Sequence, residues 1–424
     1  SGAIFPQQRK VVNLAPADVR KCGPSFDLPI AVGLLVESGQ IKGAQMDRAI
    51  DKGIFVGELA LDGSLRPVNG VLSCALFAKK NGFKSIYVPE ENAAEAKLVT
   101  DLQVYSVVSL CELIEHLNGR EKIKARVGDQ GCQQFGERRR RGLGLAKTED
   151  FEEGMGRPLA SLALKGCEQG LRALAIASAG GHHLLMSGPP GSGKTLLAQH
   201  LSSLLPPLSN EEAIELTKIY STAGLLPAGR PLIRMRPFRS VHQTASAVAL
   251  VGGGGFVRPG EISLAHRGVL FLDEVPEFPR YLLESLRQPL EDRTMTIARA
   301  SGTFTFPANF ILVGAMNPCP CGFEGDKSKK CICSMKEKTT YKKKLSGPFL
   351  DRIDLYVGMR RLTFEEMRSK TSYDLNTLYG QILRARLVQK KRYGNPVHLN
   401  SNLSPHEIES ACGLGASSLN LLKH

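Results

Sequence analysis

Apolar positions along the chain follow two spacings, and each change from one to the other marks an element. Contiguous apolar blocks closed by Gly, Pro or acids read as buried strands. Apolar residues three and four apart read as helices facing a core. Near the start, Gly53-Ile54-Phe55-Val56-Gly57-Glu58-Leu59-Ala60-Leu61-Asp62-Gly63 predicts a strand running into a tight turn. Ala75 to Asn81 predicts a helix stopped by Gly82. Ser85-Ile86-Tyr87-Val88-Pro89 predicts a short strand, and Ala93 to Leu98 another helix. Residues 1–118 therefore read as one α/β unit.

Three apolar blocks follow: His183-Leu184-Leu185-Met186-Ser187, Gly268-Val269-Leu270-Phe271-Leu272, and Phe310-Ile311-Leu312-Val313-Gly314-Ala315-Met316. They define a larger α/β unit over 151–360. From Thr363 the spacing turns helical, with Leu378, Ile382, Leu383 and Leu387 on one face. It predicts helices over 364–391, broken near 371–374, and over 404–422. Tyr393-Gly394-Asn395-Pro396 separates them. Between the two units, 119–150 holds Gly, Gln and charge, including Arg138-Arg139-Arg140-Arg141, and reads as a linker. Those arginines are either solvated or available to phosphates.

Composition narrows the classes. The 424 residues include 42% hydrophobic and 23% charged residues, which excludes wholesale disorder. No apolar run approaches the ~20 residues that span a bilayer, so no membrane partner is expected. The chain opens Ser1-Gly2 and reads as a fragment. Its net charge of +14 suits either a polyanion or general solubility. Ten cysteines are too few for a disulfide scaffold, and four of them fall within 319–333. A reducing compartment with one local metal or redox feature is expected.

The chemistry is concentrated in the second unit. Gly188-Pro189-Pro190-Gly191-Ser192-Gly193-Lys194-Thr195 fits the phosphate-loop pattern between a buried strand and a helix starting at Leu196. Its glycines allow backbone N–H groups to turn around phosphates, Lys194 should reach the β and γ phosphates of ATP, and Thr195 should ligate Mg²⁺. The block 268–272 ends in Asp273-Glu274. Asp273 should hold Mg²⁺ through water, and Glu274 should polarise the attacking water. The block 310–316 ends in Asn317, placed for the γ-phosphate or that water, or simply for closing a turn. Arg352, in Leu350-Asp351-Arg352-Ile353-Asp354, is either an arginine finger for a neighbouring subunit or half of a surface ion pair.

Taken in order, these elements resemble an AAA+ ATPase. Pro259-Gly260-Glu261-Ile262-Ser263-Leu264-Ala265-His266-Arg267-Gly268, Ala315-Met316-Asn317-Pro318-Cys319-Pro320-Cys321-Gly322 and Leu345-Ser346-Gly347-Pro348-Phe349-Leu350-Asp351-Arg352 are similar to the magnesium-chelatase-like members, and to the ComM competence group among them. Val11-Val12-Asn13-Leu14-Ala15-Pro16 and Gly23-Pro24-Ser25-Phe26-Asp27-Leu28-Pro29 resemble the amino-terminal domain of that group. The resemblance implies a bacterial, cytoplasmic, hexameric ring ATPase. It would drive branch migration of single-stranded or branched DNA during natural transformation and recombination. The expected fold is α/β: an incomplete Lon-protease-like α+β domain (1–118), the linker (119–150), an AAA+ core with a parallel sheet (151–360), and an incomplete helical lid (361–424).

In this clade, hairpins inserted in the core face the ring's pore. The candidates here are Leu226–Gly254, with Arg230, Arg234, Arg236 and Arg239, and Thr294–Phe306, flanked by Arg293 and carrying Arg299. Such arginines suit phosphate contacts, although ordinary exposed hairpins would carry them too. Two other classes compete with a DNA motor: a chelatase-type ATPase remodelling a protein partner, and a Lon-like peptidase. For the peptidase, Ser25 stands at the nucleophile position of the resemblance and Cys74 at that of the general-base Lys. A hydroxyl needs an adjacent base, and Cys74 supplies none.

Cys319-Pro320-Cys321 and Cys331-Ile332-Cys333 bracket a short polar segment. Four thiolates there suit tetrahedral Zn²⁺, although the C-x-C pairs are tighter than C-x₂-C. Free thiols and redox use remain the alternatives. Lys327, Lys329, Lys330, Lys336, Lys338, Lys342, Lys343 and Lys344 make the region basic.

Overall fold

The computed structural model describes residues 4, 9–14, 23–127, 167–361 and 375–421, apart from positions 228, 229, 256, 300, 301, 327, 328, 396, 397, 414, 416, 417 and 419. The arginine run 138–141, most of the expected linker, and the expected helix break at 371–374 lie outside the described residues.

The first sheet is built from β1 (Gly53–Phe55), β4 (Ser85–Pro89), β5 (Gln103–Val107) and β6 (Arg126–Val127), in that order, with β2 (Glu58–Leu59) and β3 (Leu65–Arg66) forming a separate hairpin. β1, β4 and β5 run parallel, which requires crossovers, and helices Val71–Lys80 and Ala93–Ala96 supply them. The first helix begins four residues before the apolar pattern suggests. It ends at Lys80, capped by Asn81, and the chain turns away at Gly82, whose φ of +80° suits glycine. β6 falls inside the stretch that reads as linker. A two-residue antiparallel edge strand leaves no periodic trace in a charged sequence.

The larger sheet has five strands: β7 (Leu184–Ser187), β8 (Phe238–Val241), β11 (Val269–Leu272), β14 (Ile311–Met316) and β15 (Leu355–Gly358). Their order is β15-β7-β14-β11-β8, all parallel. Two small antiparallel pairs flank it, β9 (Gly252–Gly253) with β10 (Arg258–Pro259), and β12 (Thr294–Arg299) with β13 (Gly302–Pro307). Every residue of β11 and β14 is buried, because helices cover both faces. Side chains alternate between two cores. Leu184, Met186, Val269, Phe271 and Val313 pack toward helices Glu168–Gly180 and Lys194–Leu204. Leu185, Leu270, Leu272 and Leu312 pack toward Leu282 and Phe349. Each such burial contributes roughly 1.5–3 kcal/mol.

The segment 226–254 is not a hairpin, and this corrects the sequence expectation. It contains β8, the edge strand of the large sheet. Of its four residues only Val241 is fully buried, so it lacks the apolar block that reveals the inner strands. The expected hairpin over 294–306 does form, as β12 and β13.

The two sheets meet where helix Val71–Lys80 packs on helix Asn210–Ala223. The buried Glu95 carboxylate accepts from Leu72 N–H at 2.8 Å and from the Ser221 hydroxyl. Downstream, helix Leu375–Tyr393 lies on helix Glu168–Gly180, with Leu375 and Ile382 in the core. Helix Pro405–Cys412 follows, opened by a Ser404/Glu407 capping box. Among the described residues no helix is long and apolar enough to cross a membrane.

Candidate active site

Because all five strands are parallel, their carboxyl ends share one edge. Ser187, Leu272 and Met316 deliver the phosphate loop, Asp273-Glu274 and Asn317 to it. Gly191 and Gly193 take φ of +77° and +83°, the backbone that turns consecutive N–H groups inward. At Gly188 a Cβ would lie 2.5 Å from the Met359 carbonyl, so the loop's first turn fits only glycine.

Lys194 is 9% exposed. Its ammonium donates to Gly188 O at 2.6 Å, Pro189 O at 3.0 Å and Asn317 Oδ1 at 3.4 Å. Burial lowers its pKa, with Asp273 and Glu274 opposing the shift. Its hydrogen-bond partners are thus neutral oxygens, an environment that an anionic phosphate would complete. The Thr195 hydroxyl donates to Asp273 Oδ2 at 3.3 Å, bringing together two oxygens of the kind Mg²⁺ uses.

Glu274 is exposed and left-handed at φ +52°, uncommon for a residue other than Gly, Asn or Asp. Its N–H donates to Asp273 Oδ1 at 3.0 Å, which fixes the turn and separates the two carboxylates. Asn317 closes β14 between Lys194 and Tyr341, whose phenol is pushed up to about 12 mainly by burial.

Arg352 is paired within the chain to Glu291 and to the Pro348 carbonyl. Its Nε is buried without a partner. Among the described contacts, none joins it to the phosphate loop of its own chain.

The cysteine thiols converge. Cys319 and Cys321 Sγ are 3.4 Å apart, Cys319 and Cys331 3.7 Å, Cys321 and Cys331 3.6 Å, and all four sulfurs, Cys333 included, lie within 4.8 Å of one another. A tetrahedral zinc with four thiolates at ~2.3 Å requires about 3.8 Å between sulfurs. The spacing therefore suits a metal. Backbone N–H groups of Phe323 and Ile332 hold the Cys321 thiol down to about 6, while desolvation and the hydrogen bonds with Cys321 and Cys319 raise Cys331 and Cys333, so one thiolate is favoured in the absence of a cation. The excursion touches the phosphate loop: a Cβ on Gly322 would sit 2.8 Å from Pro190 Cδ.

The expected DNA arginines separate into groups. Arg236 is 10% exposed and donates to Pro206 O, Arg267 O and Glu212. Arg239 makes a bidentate pair with Glu261 at 2.6 and 2.7 Å. Arg293 donates to Asn402. These three are committed to internal partners and leave the list of DNA candidates. Arg299 is exposed near the hairpin tip and Arg234 is exposed, while Arg230 borders a cavity between the two sheets.

Two residues near these sites escape sequence reading. Arg361 Nη2 donates to Pro190 O at 3.2 Å. It lies three residues past the end of β15, and the rule that ligands gather at strand carboxyl ends points to it. Arg258 is exposed and pairs in register with Gly253, against which the Arg299 guanidinium lies. The glycine run before it is the signal.

Ser25 sits in a short 3₁₀ turn leading into helix Asp27–Glu37. Lys79, the nearest lysine to the Cys74 position, is bound at 3.0 Å to both Thr100 and Asp101. Burial raises the Cys74 thiol. None of these groups offers Ser25 a base.

Residues 162–367 match the family described as magnesium chelatase, subunit ChlI, and residues 1–92 match the subunit ChlI of Mg-chelatase. The competence protein ComM of Haemophilus influenzae is 40% identical over 418 residues, covering 97% of this chain and 76% of that protein. The Escherichia coli protein YifB is 39% identical over 421 residues, covering 98% and 76%. The magnesium-chelatase 67 kDa subunit of Heliobacterium mobile is 26% identical over 260 residues, covering 55% and 36%.

Proposed function

The chain belongs to the magnesium-chelatase-like family of AAA+ ATPases that includes ComM, and from that premise we propose that it couples ATP hydrolysis to movement of DNA. The observation that carries the ATPase reading is the meeting of Thr195 with Asp273 beside a Lys194 bonded only to neutral oxygens. Lys194 and the loop N–H groups bind the phosphates. Thr195 and Asp273 hold Mg²⁺, which supplies Lewis-acid stabilisation of phosphate charge. Glu274 takes the proton of the attacking water, Asn317 orients it, and Arg352 is supplied to the neighbouring subunit of a hexameric ring. In this reading the amino-terminal sheet belongs to a Lon-like domain without peptidase chemistry. The helices after 375 form the lid.

Arg258 and Arg299, exposed on adjacent small hairpins, are the DNA-facing pair, with Arg234 as a further candidate. A motor indifferent to sequence contacts phosphates rather than base edges. Replacing Arg258 and Arg299 with Ala is expected to weaken binding equally for two unrelated single-stranded oligonucleotides. The salt slope should fall by roughly 0.7 per lost contact, with ATP affinity unchanged. A fluorescence titration across a salt series checks this. ATPase activity unaffected by DNA, together with no salt-dependent DNA binding by the wild-type chain, would favour a protein-remodelling ATPase instead.

The four thiolates are proposed to hold one structural zinc. Metal analysis should find about one zinc per chain, and replacing Cys319 and Cys331 with Ser should release it. Protein purified under reducing conditions without zinc, or zinc kept by the double variant, would refute the site.

A further inference from the structure

At the amino-terminal edge of the large sheet, opposite the phosphate loop, a cavity of about 70 Å³ opens between Gly268, Ile311 and the segment Leu399–Asn402. Three arginines line it, Arg236, Arg267 and Arg386, against one carboxylate, Glu212. Arg236 and Arg267 side chains are only 10% and 18% exposed. Glu212 is shared among Arg236, Arg267 and the N–H of Ser209, so it cannot balance all three guanidinium groups. Glu215, outside the cavity, takes two nitrogens of Arg267, and burial holds its other partner, His266, toward the neutral imidazole, so two carboxylates face three guanidinium groups and one positive charge is left over. Arg386 places two of its three nitrogens on a single carbonyl, Ser178 O, at 3.0 and 2.6 Å. Nη1 has no partner among the described residues. A fourth arginine, Arg293, binds Asn402 at the rim.

We infer that this cavity is a binding site for a small tetrahedral oxyanion of the phosphate class. Arg236 and Arg267 already spend their nitrogens on Pro206 O, Arg267 O, Glu212 and Glu215, so they contribute fixed positive charge, and the donor left for the anion is Nη1 of Arg386. Asn309 and Ser401 line the same cavity and add polar groups that a tetrahedral ion uses. The volume admits a few waters or one such ion. Electrostatics are compatible with this: burial and the neighbouring Arg236 lower Arg386 to about 10, and burial lowers Arg236, with Glu212 opposing both shifts and Arg267 adding to the second. An anion would relieve that repulsion. It would also tie helix Leu375–Tyr393 and residues 399–402 to the sheet. Because the guanidinium groups are recessed, the site takes a free ion rather than the backbone of a nucleic acid.

The test is calorimetric titration of inorganic phosphate into the full chain, with ADP and Mg²⁺ saturating the phosphate loop. One phosphate per chain is expected, with affinity unchanged when a single-stranded oligonucleotide is bound. Asn309→Asp places a carboxylate of nearly the same shape in the cavity and should lower phosphate affinity at least tenfold while ADP affinity stays the same. Three results each overturn the inference: no phosphate bound by the wild type, full affinity retained by Asn309→Asp, or phosphate displaced by the oligonucleotide. The wild-type arm does not depend on how the variant folds.

Discussion

Glu274→Gln is expected to bind ATP nearly as well as the wild type and to hydrolyse it at least about 100-fold more slowly, the range that a positioned general base contributes. The substitution keeps the side chain's size at an exposed position. The left-handed turn survives, because its tie is the backbone N–H of Glu274 to Asp273 Oδ1. Lys194, Thr195 and Asp273 are untouched, so phosphate and Mg²⁺ contacts persist. What is lost is the carboxylate that accepts the water's proton. Nucleotide binding and single-turnover hydrolysis on the same preparation separate the two effects. Undiminished turnover would remove Glu274 from the mechanism and leave Asp273 as the only carboxylate of the pair to carry it.

Arg352→Ala is expected to reduce hydrolysis about 1,000-fold with little change in nucleotide affinity, as removal of an arginine finger does. Within the chain, Arg352 is held by Glu291 and the Pro348 carbonyl, away from its own phosphate loop. A purely structural arginine would occupy the same place, so hydrolysis alone does not discriminate. Mixing does. Arg352→Ala subunits keep Glu274, and Glu274→Gln subunits keep Arg352, so mixed rings regain some interfaces carrying both groups. Rescue after verified subunit exchange supports action across the interface. Absence of rescue, with a lowered melting temperature for Arg352→Ala, assigns the residue to the Glu291 pair.

How much of this was readable beforehand depended on burial. The inner strands 184–187, 269–272 and 311–316 are covered on both faces, so they show as uninterrupted apolar runs. Each ends where its chemistry begins. Edge strands leave no such trace: β8 reads Phe238-Arg239-Ser240-Val241, neither an apolar block nor an alternation, and resembles part of an inserted hairpin, and β6 is only two residues long. Arg236 and Arg239 misled for a different reason. A cation's partner is set by the fold, and Glu212 and Glu261 lie 24 and 22 residues away in sequence. The cysteines were legible because all four lie in one short excursion, whereas its contact with the phosphate loop through Gly322 was not.

That contact also determines where the molecule accepts change. At the root of the excursion, Gly322 has φ +83° and no room for a Cβ against Pro190, so both backbone and space restrict it to glycine. At the tip, Gly325 has nothing within 4 Å of where a Cβ would stand. Gly325 shares the left-handed backbone, at φ +77°, and so stays glycine, but the space around it is open, unlike that at the base. An inserted peptide or a fluorescent reporter belongs beside Gly325, where it would sense the cysteine centre without wedging open the nucleotide pocket.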